Sequence, residues 1–331
     1  MDILKSYPLD AAFFTVDKKP MYWQDTKPLP DLFGEKIIYN RCKGLFVLVD
    51  KFGKVFAPVT SAYQIVTNED AYKWALEFAK DIFHTQEEVQ MTFIGLNMPE
   101  SRGFCEIDLA RNTEQNQPLI NEGWCAFIRV INSYNKTKPL SYIVGFTNLK
   151  QHYRILMPEM AVKATELHMG SKESIKSSLK NQITRKFAEI NNIEMTFYDK
   201  IMALKNLPVA KEDMLPLCCK FLSIKKIDQE HLKKSIDYFL GLKCYLECLI
   251  KQCIENYGTN AYALLNIMSA YASGWDDFVY PMMQMHMSSQ QMAVGKWVDD
   301  ILNATKDKEH FSMYEYLGKE AYDASSWLRT M

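Results

Sequence analysis

Two residues near the middle of the chain, Arg154 and His168, have side chains that could act on a bound anion. His168 ends a predicted strand just before a predicted helix, and helix N-termini bind phosphate and carboxylate groups. An imidazole there can change its charge near neutral pH. A guanidinium can donate two parallel hydrogen bonds to one phosphate. The same residues would also suit a histidine hydrogen-bonded to nearby backbone and an arginine in a surface ion pair, so both readings stay open.

A local excess of positive charge surrounds these two residues. Between residues 148 and 186, eight basic side chains stand against three acidic ones, which gives a net charge of +5. Tyr134, His152 and Tyr153 are near in sequence and could stack on bases, so the segment suits single-stranded nucleic acid. Lysines at every fourth position from Lys172 are equally typical of the solvated face of an amphipathic helix. The candidate nucleic-acid-binding residues are Lys150, Tyr153, Arg154, Lys163, His168 and Lys172.

The elements ahead of this segment are predicted to be mostly strands. Two apolar segments flank Gly53, which suits a hairpin turn, and residues 62–68 are predicted to form a short strand after them. Asn68 is predicted to cap a helix over residues 69–83, where apolar side chains recur at helical spacing. Later strand-like segments with short polar links indicate an antiparallel meander. These segments are residues 89–96, 102–109, 124–132 and 140–148.

The pattern changes to long helices near Gly170. Ser171 is predicted to cap one helix of about seven turns that ends near Leu207, and Asp228 to cap a second that ends before Gly258. Further helices are predicted over residues 258–275, 288–304 and 311–328. The predicted fold class is α+β, with an N-terminal antiparallel β-meander and one packed helix, followed by a long-helix C-terminal half. The predicted regions are residues 1–168 and 169–331, which could also form one continuous domain.

Composition and motifs narrow the functional classes. The 331 residues are 48% hydrophobic and 24% charged, as in soluble globular proteins. A net charge of −1 restricts any nucleic-acid surface to a local patch. The sequence has no apolar run long enough to span a membrane and no signal peptide, so we expect a cytoplasmic protein. Nucleotide hydrolysis by a P-loop, Rossmann dinucleotide binding, α/β-hydrolase chemistry and zincin proteolysis lack their motifs.

The sulfur-containing residues favour packing over chemistry. The eight cysteines form no CxxC motif, which indicates reduced and mostly buried thiols. Cys244 and Cys248 share a predicted helix face, but no histidine lies at ligand spacing beside them. The methionine-rich segment 282–292 suits an adaptable packing or interaction surface more than a copper site. We therefore expect neither a metal nor a cofactor.

Four segments resemble, in order, the phage- and plasmid-borne domain-of-unknown-function family 932. Tyr63 and Asn68 match its early strand-to-helix segment, and residues 127–146 match its central hairpin. Asn266 and Tyr271 match the helix near its end, where we expect Asn266 to be a buried amide that ties helices to the sheet. The resemblance covers about residues 40–275. The family's Cys-Asn pair is missing after Arg154, which puts any function of that pair in doubt.

The resemblance implies a protein of prophages, plasmids and conjugative elements, and it implies no particular activity. With the basic segment, it predicts a non-enzymatic mobile-element protein that binds single-stranded nucleic acid, in the host cytoplasm if phage-encoded. The alternative is a protein-interaction or structural phage protein that blocks a host defence or belongs to the particle, without nucleic acid. Homo-oligomers are compatible with both. A third hypothesis is an enzyme that uses His168 and Arg154 on a bound phosphate or carboxylate.

Overall fold

A computed structural model describes residues 8–28, 35–85, 87–112, 117–163, 170–190, 192–274, 281–306 and 311–331. After a short 3-10 helix (Leu9–Ala12), the strands are β1 (Val16–Pro28), β2 (Glu35–Asp50), β3 (Val55–Thr60), β4 (Met91–Asn97), β5 (Phe104–Arg111), β6 (Trp124–Ser133), β7 (Ser141–Asn148) and β8 (Arg154–Lys163). The helices are α1 (Asn68–Ile82), α2 (Pro118–Asn121), α3 (Lys172–Phe187), α4 (Ile193–Lys205), α5 (Lys211–Phe221), α6 (Gln229–Tyr257), α7 (Ala261–Ser273), α8 (Pro281–Ala304), α9 (Met313–Leu317) and α10 (Lys319–Thr330).

The strands form two antiparallel sheets, and the predicted α+β class is confirmed. One sheet has the order β1-β2-β3, and the other has the order β4-β5-β6-β7-β8. The links at residues 134–140 and 149–153 are too short for a parallel crossover, which needs about a dozen residues. The second sheet is therefore a meander, and the mainly helical half follows it. The predicted hairpin at Gly53 is also confirmed, with a left-handed φ of +86° at that glycine.

Helix α1 is confirmed, but its predicted cap is wrong by one residue. Thr67 is the N-cap: its hydroxyl accepts from the N–H of Asp70 at 3.0 Å, and the Asp70 carboxylate accepts from the N–H of Thr67 at 2.9 Å. This capping box satisfies two donors that a helix start would otherwise leave free. The segment predicted as a strand over residues 62–68 contains only one isolated bridge residue, because it bends into this cap.

Asn68 is instead a buried junction. Its backbone N–H donates to the Tyr134 hydroxyl at 2.9 Å, and its side-chain amide donates to the carbonyl of Ala12 at 2.9 Å. Its side-chain oxygen accepts from the amide of Asn132 at 2.9 Å, and that amide also donates to the carbonyl of Val66. These bonds join the start of α1 to β6 and to the N-terminal 3-10 helix.

Charged side chains are buried on β5 and β6. Arg129 donates two hydrogen bonds of 2.6 Å to Asp108, its directly opposite neighbour, and lies 3.8 Å from Glu106. Lys138 pairs with Glu106 at 2.5 Å, and the side-chain amide of Asn97 donates to that carboxylate at 3.0 Å. Burial alone would lower the pKa of the Arg129 guanidinium, but the charge and hydrogen bonds of Asp108 raise it. The arginine therefore stays charged inside the sheet.

The helical half contains one clear departure from prediction. The single long helix expected from Ser171 to Leu207 is two helices, α3 and α4, which are separated by residues 188–192. Ser171 does cap α3, but Asn192 caps α4 by accepting from the N–H of Met195 at 3.0 Å. An asparagine that bonds its local backbone competes with helix continuation, so the break follows from local chemistry. Asp228 caps α6 as predicted.

The chain divides into two compact units. The first contains residues 1–112, 127–144 and 160–191, and the second contains residues 113–126, 145–159 and 192–331. The predicted boundary between residues 168 and 169 falls at the end of a segment outside the described residues, and it stays a prediction.

The buried ion pair gives a stability prediction. Arg129→Met should lower the free energy of unfolding by about 3–5 kcal/mol, because it leaves the Asp108 carboxylate buried without its guanidinium. The double variant Arg129→Met/Asp108→Leu should recover most of that loss, because it removes the two buried charges together, and Glu106, which loses Arg129 at 3.8 Å, keeps its closer partner Lys138. Urea unfolding followed by circular dichroism measures both values. A single variant as stable as the wild type would contradict the assigned role.

Candidate interaction site

The predicted basic segment is only partly exposed. Lys150 is exposed in the turn after β7, where the Asn148 side chain accepts from the backbone N–H groups of Lys150 and Gln151 at 3.0 Å each. Lys163 is exposed at the end of β8. His168 lies outside the described residues, so the anion site and the enzyme hypothesis that depend on it stay predictions.

The aromatic residues expected to stack on bases are mostly buried. Tyr153 is only 7% exposed, and Tyr134 is 1% exposed because it packs in the core of the first unit and accepts the Asn68 N–H. Neither ring offers a face that a base could cover. His152 is exposed, with a left-handed φ of +58°. The structure therefore leaves the turn at Lys150 with one exposed ring, which is not the aromatic surface expected from the sequence.

The lysines of α3 form ion pairs. Lys172 lies 2.6 Å from Asp70, and Lys176 lies 2.5 Å from Glu77. Burial opposes ionisation of Asp70, but hydrogen bonds from Lys172 and Thr67 lower the pKa of its carboxyl. Part of the predicted positive charge is therefore neutralised by α1, and both pairs tie α3 to α1.

Arg154 begins β8, is half-buried, and donates its backbone N–H to the Ser273 hydroxyl at 2.7 Å. Arg154, Lys150 and Tyr153 belong to the second unit, whereas Lys163 and Lys172 belong to the first. The described residues of the predicted nucleic-acid site are therefore not grouped within one unit.

The family-like residues are structural in their surroundings. Tyr63 is buried, and burial raises its pKa to about 12. Asn266 is buried as expected, but its side-chain amide donates to the Tyr262 carbonyl of its own helix and not to the sheet. That tie is made by Tyr262, whose hydroxyl accepts from the Trp124 indole of β6 at 2.9 Å. Tyr271 is buried, and burial raises its pKa.

The sulfur-containing side chains divide between core and surface. All eight cysteines are free thiols, and five are buried, as expected for most of them, whereas Cys244 and Cys248 are exposed on α6. Met287 and Met292 of α8 are half-buried, and the side chains of residues 281–286 lie outside the description. Within the described residues, no group of three potential ligands is placed to hold a metal. No described helix is long and apolar enough to cross a bilayer.

A different feature of the first unit is a two-stranded extension of its first sheet. Strand β3 pairs with β2 only from Leu45 to Val49. Beyond Gly44, β1 and β2 continue as a two-stranded ribbon in which Tyr22 lies opposite Arg41 and Trp23 lies opposite Asn40. We call this ribbon, residues 20–28 of β1 and 35–44 of β2, the arm.

Large side chains of the arm are exposed on both faces. Tyr22, Ile37 and Tyr39 share one face with exposed fractions of 53%, 50% and 67%, and Arg41 lies on the same face. Trp23 is 51% exposed on the opposite face. Alternate residues of a strand point to opposite faces, which gives this assignment. Neighbouring exposed aromatic and aliphatic side chains are typical of surfaces that bind another molecule.

The sequence patterns used above did not identify the arm. Residues 16–28 mix charges, prolines and aromatics, and Tyr22, Trp23 and Gln24 are exposed at consecutive positions, so this part of the arm shows no alternation. The sequence does contain one indication of these strands: the residues Ile37, Ile38 and Tyr39, and the pair Tyr22 and Trp23, are types that are enriched in strands.

Comparison with known proteins adds no assignment: no protein-family profile, no curated protein and no solved structure matches this chain. The resemblance to family 932 accordingly stays a prediction.

Proposed function

We propose that this protein is an interaction module that binds a protein partner through the arm. The observation that carries the proposal is the exposure of Tyr22, Trp23, Ile37 and Tyr39 on both faces of a two-stranded ribbon. This proposal corresponds to the protein-interaction alternative that the sequence left open, and it needs no catalytic group.

The stability of the arm supports this choice. An isolated two-stranded hairpin is marginally stable in water, and three or more strands or a packed face are needed for independent stability. Within the described residues, the arm has no third strand beyond Gly44. A partner that adds a strand or covers a face would supply the missing contacts.

The charge of the arm favours a protein over nucleic acid. The arm contains four basic and two acidic residues, which gives a net charge of +2. Binding to a phosphate backbone depends on many uncompensated cations, and this segment supplies few. Exposed aromatic rings with a single arginine among them are instead the composition of protein interfaces.

A photo-reactive residue at the arm tests the proposal. Tyr39 is replaced with benzoylphenylalanine, and the variant is irradiated in the cells that naturally produce this protein. We expect covalent adducts with a protein, because the ring at position 39 would face the partner. Phe52 is the matched control, since it is 75% exposed on the same sheet but lies in the turn after β2. Mass spectrometry identifies the adducts.

Adducts at position 52 equal in yield to those at position 39 would contradict a specific interface at the arm. The absence of any protein adduct at position 39 would also overturn the proposal. If the adducts at position 39 contain only nucleic acid, the arm would instead be a nucleic-acid-binding element.

Single-stranded nucleic-acid binding is the second candidate, and the observation in its favour is the exposure of Lys150 and Lys163. From the resemblance to family 932, we also propose that a phage, plasmid or other mobile element encodes this protein. Both roles are compatible with a phage or plasmid protein.

Fluorescence anisotropy with a labelled single-stranded oligonucleotide tests this candidate. Binding should weaken steeply as salt rises, because phosphate contacts release counterions. Lys150→Glu/Lys163→Glu should weaken binding at low salt, whereas the exposed Lys319→Glu of α10 is the matched control and should not. No binding of the wild type at low salt would remove this candidate.

A further inference from the structure

Two exposed cysteines lie on one face of helix α6, in the second unit. Cys244 and Cys248 are four residues apart, so their side chains lie one above the other along the helix. The opposite face anchors the helix, because Leu242, Leu246 and Leu249 are almost fully buried. Both thiols are therefore held by a packed helix and are open to small molecules in solution.

Most of the other thiols are closed to solvent. Cys42 is partly exposed, and the remaining five are buried, namely Cys105, Cys125, Cys218, Cys219 and Cys253. Burial raises the pKa of Cys125 to about 11 and that of Cys253 to about 12, so these groups form little thiolate near neutral pH. A reagent that attacks thiols therefore meets the pair on α6 first.

The helix fixes the separation of the two thiols. Side chains four positions apart on a helix have Cβ atoms about 5–6 Å apart, whereas a disulfide requires about 3.5–4.5 Å. The non-helical residue inside α6 is Ser235, which precedes Cys244, so this turn keeps regular helical geometry. Cys244 and Cys248 are thus too widely spaced to form a disulfide with each other in the intact helix. A single atom bonded to both sulfurs bridges the gap.

The number of ligands at this place selects the kind of centre. Structural zinc takes four protein ligands, and within the described residues no histidine, carboxylate or further thiol completes a group of three with this pair. Thiolates are soft ligands and favour soft metals and metalloids. The pair therefore suits a soft centre that needs two thiolates and brings its remaining ligand with it.

We infer that Cys244 and Cys248 form a dithiol site for trivalent arsenic, which makes two bonds to sulfur and keeps one group of its own. With an organoarsenic oxide, the arsenic–oxygen double bond and two S–H bonds break, two As–S bonds form, and the oxygen leaves with both protons as water. Arsenic stays trivalent, so the step needs no oxidant or reductant. The inference is independent of the proposed function, because the arm belongs to the first unit.

Phenylarsine oxide added to the full, reduced chain tests the inference in a Cys42→Ser background. Mass spectrometry of the native protein should show one phenylarsenic group per chain. Cys244 and Cys248 should then be protected together from alkylation by a maleimide, and an excess of 2,3-dimercaptopropanol should release both. If neither thiol is protected, or if only one is, the site is overturned.

A relocated thiol is the matched control. Cys248→Ser/Gln252→Cys keeps two cysteines at exposed positions of α6 but separates them by eight residues, about 12 Å along the helix axis. One arsenic atom cannot span that distance, so binding should weaken about 100-fold or more, because the second thiol no longer acts at a high effective concentration. Binding as tight as in the parent chain would overturn the dithiol site.

A second relocation should preserve binding. Glu247→Cys/Cys248→Ser places the thiols three positions apart, and residues three apart on a helix are also neighbours on one face. Its affinity for phenylarsine oxide should stay within about tenfold of the parent chain. Circular dichroism checks that each variant keeps its helices. Loss of binding in this variant, with the helices intact, would overturn the argument from helix spacing.

Discussion

The first unit depends on the hydrogen bonds of Asn68, because the polar groups of a buried residue must find their partners within the fold. Three of its polar groups form hydrogen bonds: the backbone N–H donates to Tyr134, the side-chain NH₂ donates to Ala12, and the side-chain oxygen accepts from Asn132. Each bond fixes a different part of the chain relative to the start of α1. Leaving one such group without a partner costs about 1–3 kcal/mol, so the three contacts are kept together or lost together.

This requirement explains why some residues that look functional in the sequence are structural. Tyr134 and Tyr153 are aromatic, lie near lysines, and would suit base stacking on a surface. Tyr134 is drawn into the core because its hydroxyl satisfies the α1 backbone. Lys172 and Lys176 are likewise held by α1, through Asp70 and Glu77. The sequence shows the residue types, but only the tertiary contacts show which atoms are already used.

The elements that the sequence could predict are those with one buried face. The apolar stripe of α1 repeats at helical spacing because one side packs inward, and the hairpin at Gly53 needs a left-handed residue. The break between α3 and α4 was missed because apolar spacing continues across it, while the cap at Asn192 decides the boundary. The arm was missed for the opposite reason. Its β1 strand exposes Tyr22 and Trp23 on opposite faces, and on β2 apolar residues lie on both faces, so the residues of the candidate site could not be recognised from alternation.

The same lack of alternation carries functional meaning once the pairing is known. A strand that is half-buried in its own fold alternates apolar and polar residues, whereas a strand awaiting a partner on its edge can expose apolar groups at consecutive positions. Tyr22 and Trp23 do this on β1, whereas on β2 the exposed Ile37 and Tyr39 are separated by the half-buried Ile38. The exposed side chains on both strands of the ribbon therefore support the binding role that we propose for the arm.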